Sequence, residues 1–311
     1  MSNFVFYSFI RNFAPMKQVR PKKNLGQHFL TDLNIAKRIA DTVDACPDIP
    51  VLEVGPGMGV MTQYLVEKPR PFKVVEIDRE SVAYLKGTLF SREYEGTEVR
   101  RYEDTTASDI SRATAPTHHR ATDNSPIIEG DFLRMDLREV FDGQQFVLTG
   151  NYPYDISSQI FFKMLDNKDL IPCCTGMIQH EVAVRMASQP GNKQYGILSV
   201  LIQAWYNVEY LFTVEPGVFN PPPKVQSAVI RMTRNEVTDL GCDEQLFRRI
   251  VKTVFTMRRK MMRNGMKQLL GSNHPMLADS FFTRRPEQVS VEEYIELTNK
   301  VVTTPTQTPK T

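Results

Sequence analysis

Four polar side chains stand at or just past the ends of short apolar runs, where a strand would deliver them to a sheet edge. Val51-Leu52-Glu53-Val54 runs into Gly55-Pro56-Gly57-Met58-Gly59, and Val74-Val75 into Glu76-Ile77-Asp78. Ile127-Ile128-Glu129 leads to Gly130-Asp131-Phe132, and Phe146-Val147-Leu148-Thr149 to Gly150-Asn151-Tyr152-Pro153-Tyr154. An apolar run broken by glycine reads as a buried strand turning where the backbone must approach a ligand. Glu76 can accept both hydroxyl protons of a ribose diol. Asp131 can accept from an exocyclic amine, and can equally cap the start of a helix. The Asn-x-Pro-aromatic loop offers two acceptors, the Asn151 amide oxygen and the Tyr152 carbonyl, on a backbone stiffened by Pro153, with Tyr154 as a stacking plate. An exocyclic purine amine is a poor nucleophile because its lone pair is delocalised into the ring. Two acceptors around its N–H bonds favour the pyramidal geometry in which that lone pair can attack, and they stabilise the cation that forms. A base reaches such a pocket only when unstacked, and aromatic plates are what a flipped base stacks against.

These side chains need a scaffold that brings strand ends together. Residues 51–90 read as strand, glycine turn, helix (60–67), strand (72–77) and a helix beginning near Arg79. That alternation predicts an α/β fold with a doubly wound, Rossmann-like sheet. Asp32 is placed to cap a helix carrying Ile35, Ile39 and Val43 on one face. Further on, 157–165 reads as a helix, 175–179 as a strand, 195–204 as a buried helix and 210–214 as a strand. Phe219 precedes the rigid Pro221-Pro222-Pro223 loop, either as core packing or as a second stacking face opposite Tyr154. A dinucleotide site would need G-x-G-x-x-G. Gly55, Gly57 and Gly59 run G-x-G-x-G, the third one residue early, and nothing in the turn demands a pyrophosphate. With Glu53 before it, the turn resembles the S-adenosylmethionine site of class I methyltransferases.

The chain has 311 residues, 41% hydrophobic and 24% charged, enough for one large core or a large and a small one. No apolar run reaches the ~18 residues that span a bilayer. Cys46, Cys173, Cys174 and Cys242 lack C-x-x-C spacing, so reduced thiols and a cytoplasmic location are expected. No metal site is expected, because His118-His119 has no third ligand. Residues 1–22 form a basic arm with three open readings: nucleic-acid contact, organelle targeting, or an extension upstream of a start at Met16. Residues 92–126 are rich in Thr, Ser, Arg, Asp and Glu and read as a mobile insertion. From Asp243 to Leu270 one helical stretch carries eight cations against two anions over 28 residues. Arg248, Arg249, Lys252, Arg258, Arg259, Lys260 and Arg263 are the candidates there for phosphate-backbone contact. Residues 236–302 then make a small C-terminal α-helical RNA-binding domain after a methyltransferase domain at 23–235, and 303–311 a disordered tail.

Taken together, Gly26-Gln27-His28-Phe29-Leu30, Glu53 to Gly59, Val75 to Asp78, Gly130-Asp131, Asn151 to Tyr154, Gln179 to Arg185, Tyr195 to Val200 and Phe219 to Ser227 follow an order that resembles the KsgA-type small-subunit ribosomal RNA adenine dimethyltransferases. The resemblance covers roughly residues 17 to 300. It implies dimethylation of N6 on two adjacent adenines in a hairpin loop near the 3′ end of small-subunit RNA, by an enzyme acting during subunit assembly with S-adenosylmethionine as cofactor. It implies that His28, Leu30, Gly55, Gly57, Glu76, Asp131 and Asn151 contact the cofactor, and that Asn151, Tyr154 and Phe219 handle the target base. The insertion at 92–126 departs from the family by its length. The expected partner is the assembling small subunit, met by a monomer with no membrane association. Two rivals remain: the related large-subunit adenine N6-methyltransferase, and a non-catalytic assembly or RNA-binding factor on the same fold.

Overall fold

The computed structural model describes residues 19, 21, 22, 27–90 and 125–303. The rest of the basic arm, nearly all of the 92–126 insertion, and residues 304–311 of the expected tail lie outside the described residues.

The chain enters through β1 (Phe29–Leu30) and α1 (Leu33–Ala40), which Asp32 caps by accepting from Asn34 and Ile35 N–H. Then follow β2 (Val51–Val54), α2 (Thr62–Leu65), β3 (Phe72–Glu76), α3 (Arg79–Gly87), β4 (Ile127–Glu129), β5 (Val147–Thr149), α4 (Ser157–Asp166) and β6 (Cys173–Gln179). The chain continues with α5 (His180–Ala187), α6 (Ile197–Gln203), β7 (Tyr206–Val214), β8 (Phe219–Asn220) and β9 (Ser227–Arg234). Three helices close it: α7 (Glu244–Thr256), α8 (Met262–Leu270) and α9 (Val291–Thr303).

Seven strands form one sheet in the order β4-β3-β2-β5-β6-β9-β7. The pairs from β4 to β6 are parallel, while β9 runs antiparallel to both β6 and β7. Successive side chains of one strand enter different cores, as the period of two requires. Leu52, Leu148, Cys174 and Ile230 join a core with α4 to α9; Val51, Val147, Cys173 and Val229 join one with α1 and α2. Helices therefore cover both faces. The winding direction reverses between β2 and β5, and at such a switch point the loops beyond the carboxyl ends diverge to leave a crevice. The glycine turn follows β2, and the Asn151 loop follows β5.

Two expectations are corrected. The basic stretch 243–270 is a pair of helices rather than one, because α7 ends at Met257 and Arg258, Arg259 and Lys260 occupy the connection to α8. Cys46 and Cys173 are joined as a disulfide, not reduced thiols. The segment after α1 packs on the start of β6, which brings their Cα atoms to 5.9 Å, within bonding range. Cys174, next in sequence, points into the opposite core and stays free and buried.

Candidate active site

At the switch point lies a cleft of about 220 Å³, walled by β1, the glycine turn, the end of β3, the loop after β4 and the loop after β5. Its floor is Glu53, an acid inside a strand that is otherwise Val and Leu. Glu53 is 1% exposed and accepts a 2.7 Å bond from the Thr62 hydroxyl. Burial pushes its carboxyl up to about 8, against the Thr62 bond that lowers it and with the nearby Glu76 raising it further.

Glu76 leaves β3 beside the turn. Its Oε2 accepts from Gly57 N–H at 3.0 Å and its Oε1 from Asp78 N–H at 2.8 Å. Burial raises this carboxyl too, and the backbone donors oppose the rise. Gly57 has φ of +57°, the left-handed region, and a Cβ there would stand 3.0 Å from the Phe29 ring. Only glycine lets this turn run so close to β1.

Asp131 uses Oδ1 to accept from Leu133 N–H at 2.8 Å and so closes a turn; no helix starts there, and the next helical turn, Leu137–Glu139, is capped by Asp136 instead. Val75, Ile77, Phe132 and Leu133 give the surrounding wall apolar surface, and Ile77 is 51% exposed. A carboxylate for a diol, an apolar slot for a purine ring and an acceptor at the slot's edge match an adenosyl group. Glu53, Glu76, Gly55, Gly57 and Asp131 are the residues here that could hold such a group.

The loop after β5 is pinned to β6. Met177 N–H donates to the Gly150 carbonyl at 2.9 Å and Tyr152 N–H to the Met177 carbonyl at 3.0 Å. Tyr152, 1% exposed, donates its hydroxyl to the Thr175 carbonyl at 3.0 Å. Asn151 thus projects from a fixed backbone, and its Nδ2 donates to the His28 carbonyl at 3.3 Å. That bond orients the amide and leaves Oδ1 as its acceptor. Tyr154 carries a hydrogen bond between its hydroxyl and Ser227 Oγ, and the His28 ring stacks on it with centroids 5.5 Å apart. His28 Nδ1 donates to the Pro221 carbonyl at 2.8 Å.

His28, Leu30, Gly55, Gly57, Glu76, Asp131, Asn151 and Tyr154 all line this one cleft. Phe219 does not. Pairing of β8 with β1 sets it opposite Leu30 and buries it to 4% among Val43, Val214 and Val229. Of the two roles open to Phe219 from sequence, the structure realises core packing and not stacking in the cleft. Glu53 joins the cleft in addition to the expected residues, and its signal in the sequence is an acid within an apolar strand.

The cations divide. Arg248 is committed to ion pairs with Asp166 at 2.5 Å and Glu244 at 2.8 Å. Lys252 lies 5.1 Å over the Phe162 ring, and Arg249 is exposed. Arg258 donates to the Lys193 carbonyl and stands 4.0 Å from Glu287. Arg263 buries its Nε without a hydrogen-bond partner. Arg259 and Lys260 line a second, polar cleft with Arg285, from elsewhere in the 236–302 stretch, and Lys193, from outside it.

The family model for ribosomal RNA adenine dimethylase matches residues 18–102 and 109–303. The ribosomal RNA small subunit methyltransferase A of Bacteroides fragilis is 62% identical over 286 residues, covering 92% of this chain and 94% of that protein. Its namesake from Parabacteroides distasonis is 54% identical over 283 residues, with 91% and 94% covered. Among solved structures, a dimethyladenosine transferase from Plasmodium falciparum superposes with a TM-score of 0.66 at 21% identity, covering 88% of this chain and 98% of that one. The 23S rRNA methyltransferase ErmE gives 0.56 at 23%, covering 87% and 99%. These two share the class I fold. On the match across nearly its whole described length, the chain belongs to the ribosomal RNA adenine dimethylase family.

Proposed function

We propose that the protein dimethylates N6 of two adjacent adenines in small-subunit ribosomal RNA, and that it meets this RNA in the assembling subunit, in the cytoplasm and as a monomer. The observation that carries the reading is the Asn151 amide, whose Nδ2 is spent on the His28 carbonyl so that Oδ1 faces the reacting amine as an acceptor. When bound, S-adenosylmethionine supplies a methyl group on a positively charged sulfur. The chain's own residues do the rest by positioning. Asn151 Oδ1 and the Tyr152 carbonyl hold the N6–H bonds of the incoming adenine and turn its lone pair out of the ring plane. Tyr154, braced by Ser227, carries the face of the flipped base. Tyr152 is buried and Asn151 half-buried, which limits the water that can compete for the two acceptors.

The small subunit is favoured over the large one by the names of the relatives, and the basic second cleft supports RNA backbone contact with either. At the cleft, Lys193, Arg259, Lys260 and Arg285 make no ion pair among the described residues. Four cations without an ion pair among the described residues, against the single acid Glu287 in the same lining, suit the RNA phosphate backbone.

The test incubates the protein with isotopically labelled S-adenosylmethionine and under-methylated small subunits, followed by nucleoside mass spectrometry, beside Asn151→Ala. Labelled N6,N6-dimethyladenosine on adjacent adenines, lost in the variant, is the expected result. Label confined to large-subunit RNA selects the large-subunit activity, and binding to small subunits without any label selects the non-catalytic factor.

A further inference from the structure

We infer that Lys22 is a positioning residue for the cofactor, a latch that ties the segment entering β1 to the carboxyl end of β3. It lies outside the residues that line the cleft, yet it reaches both of the cleft's walls. On one side its Nζ stands 2.5 Å from Asp78 Oδ1 and 3.4 Å from Glu80 Oε1. On the other its backbone N–H donates to Gln27 Oε1 at 2.9 Å and its carbonyl accepts from Gln27 N–H at 3.4 Å. Gln27 and His28 form one rim of the cleft; Glu76 and Ile77 form the other. Val19, 6% exposed, anchors the same segment three residues earlier.

Asp78 is the pivot. Its side chain is 2% exposed and accepts from Ser81 Oγ at 3.0 Å and from Glu80 N–H at 3.2 Å. Its own backbone N–H is one of the two donors that fix the Glu76 carboxylate. Burial would push the Asp78 carboxyl up, but Lys22, Ser81 and the Glu80 N–H together hold it below the usual carboxylate range. A pair between two exposed side chains would do little. Here one partner is buried, so losing the cation leaves a desolvated charge two residues from the group read as the ribose acceptor, and the local backbone must shift or hydrate to relieve it. Slack released at Asp78 passes through its N–H to Glu76, and slack released at Lys22 passes through Gln27 to His28. Both movements widen the cleft, and the one at His28 also reaches the carbonyl that holds the Asn151 amide.

The inference rests on reading this cleft as the cofactor site, and the experiment separates the two. Binding of S-adenosylhomocysteine is measured by calorimetry for the wild type, Lys22→Met and Lys22→Arg, with hydrogen exchange of the peptide containing Phe29 and Leu30 followed with and without ligand. Lys22→Met is expected to weaken binding ~10-fold or more, on the scale of a buried carboxylate stripped of its partner. It is also expected to abolish ligand-induced protection of that peptide. Lys22→Arg, which keeps the charge, restores most of both. In turnover the KM for S-adenosylmethionine rises by more than kcat falls, because the Asn151 loop keeps its two hydrogen bonds through Met177. Wild-type binding with Lys22→Met within twofold of it, or equal protection in both, overturns the latch alone. A wild type that does not bind S-adenosylhomocysteine overturns the cofactor reading and the latch with it.

Discussion

Glu53 shows how one side chain can make the stability of the fold sensitive to pH. Its carboxyl has an ordinary value of 4.5 when exposed and is held at about 8 in the folded chain, chiefly by burial. Between those limits the unfolded chain has lost the proton and the folded chain still holds it, so stability falls as pH rises through the window and levels off above about 8. The slope from one such group is roughly 1.4 kcal/mol per pH unit. Glu53→Gln, which keeps the Thr62 contact without ionising, is expected to flatten that part of the curve. Chemical denaturation at a series of pH values reads it, and an unchanged slope refutes the assignment. Tyr154 makes a second case. Replacing it with Ala removes the plate and is expected to lower kcat/KM by ~10- to 100-fold, the worth of one stacked base. Tyr154→Phe keeps the ring and loses only the Ser227 bond, so it should stay within a few-fold; equal losses in the two variants would mean the hydroxyl matters rather than the plate. Glu76, Asp131, Asn151 and Tyr154 were legible because each ends or follows an apolar run. The burial of Phe219 was not, because it depends on two residues of β8 pairing with two of β1 about 190 positions away, and so short a pairing leaves no periodicity in either segment.

Among the elements, β6 does more for the site than its place behind the cleft suggests. Gly176 has φ of +144°, and a Cβ there would lie 2.3 Å from the Gly150 carbonyl oxygen and 2.8 Å from the Tyr152 ring. The Asn151 loop rests directly on that bare backbone, held by the two hydrogen bonds through Met177. Gly176→Ala must therefore lift the loop or the strand, and the carbonyl it strikes belongs to the residue before Asn151. Misplacing a reacting group by about 1 Å can cost on the order of 100-fold. The expectation is a drop in kcat of that order, with S-adenosylhomocysteine affinity nearly preserved because Glu76 and the glycine turn sit on other strands. Single-turnover rates beside ligand titrations decide it; a loss shared equally by affinity and rate would point to general unfolding. The parallel strands themselves were readable from apolar runs of the right length between helices. The α7–α8 break was not, since Arg258-Arg259-Lys260 carries helix-compatible residues and no Gly or Pro marks the turn.

For the molecule as a whole, the question is how the catalytic cleft and the proposed RNA contact share one core. The C-terminal helices do not stand apart: α7 packs on α6, and Phe247, Ile250, Val254 and Leu297 belong to the same core as Leu52 and Leu148 of the central sheet. Position along that body sorts the cations by function. Arg248, engaged with Asp166 of α4 and Glu244, braces α7 against the sheet-covering helices. Arg259 and Lys260, exposed on the connection between α7 and α8, have no such duty among the described residues. Composition could not make this distinction, because it counts charge without showing which acids fold back to meet it. The double substitution Arg259→Ala with Lys260→Ala is expected to weaken small-subunit binding by ~10-fold or more at physiological salt. It should also reduce the slope of log affinity against log salt by roughly 2, one per lost phosphate contact, while thermal stability and S-adenosylhomocysteine binding hold. Arg248→Ala is expected to do the reverse: Asp166 loses its Arg248 partner while Glu244 keeps Lys168 at 3.2 Å, stability drops by roughly 1 kcal/mol or less for partly exposed pairs, and the salt slope is unchanged. Filter binding across a salt series, run beside melting curves, separates the two. A reduced slope for Arg248→Ala, or none for the double variant, would move the RNA contact from the α7–α8 connection to the flank of α7.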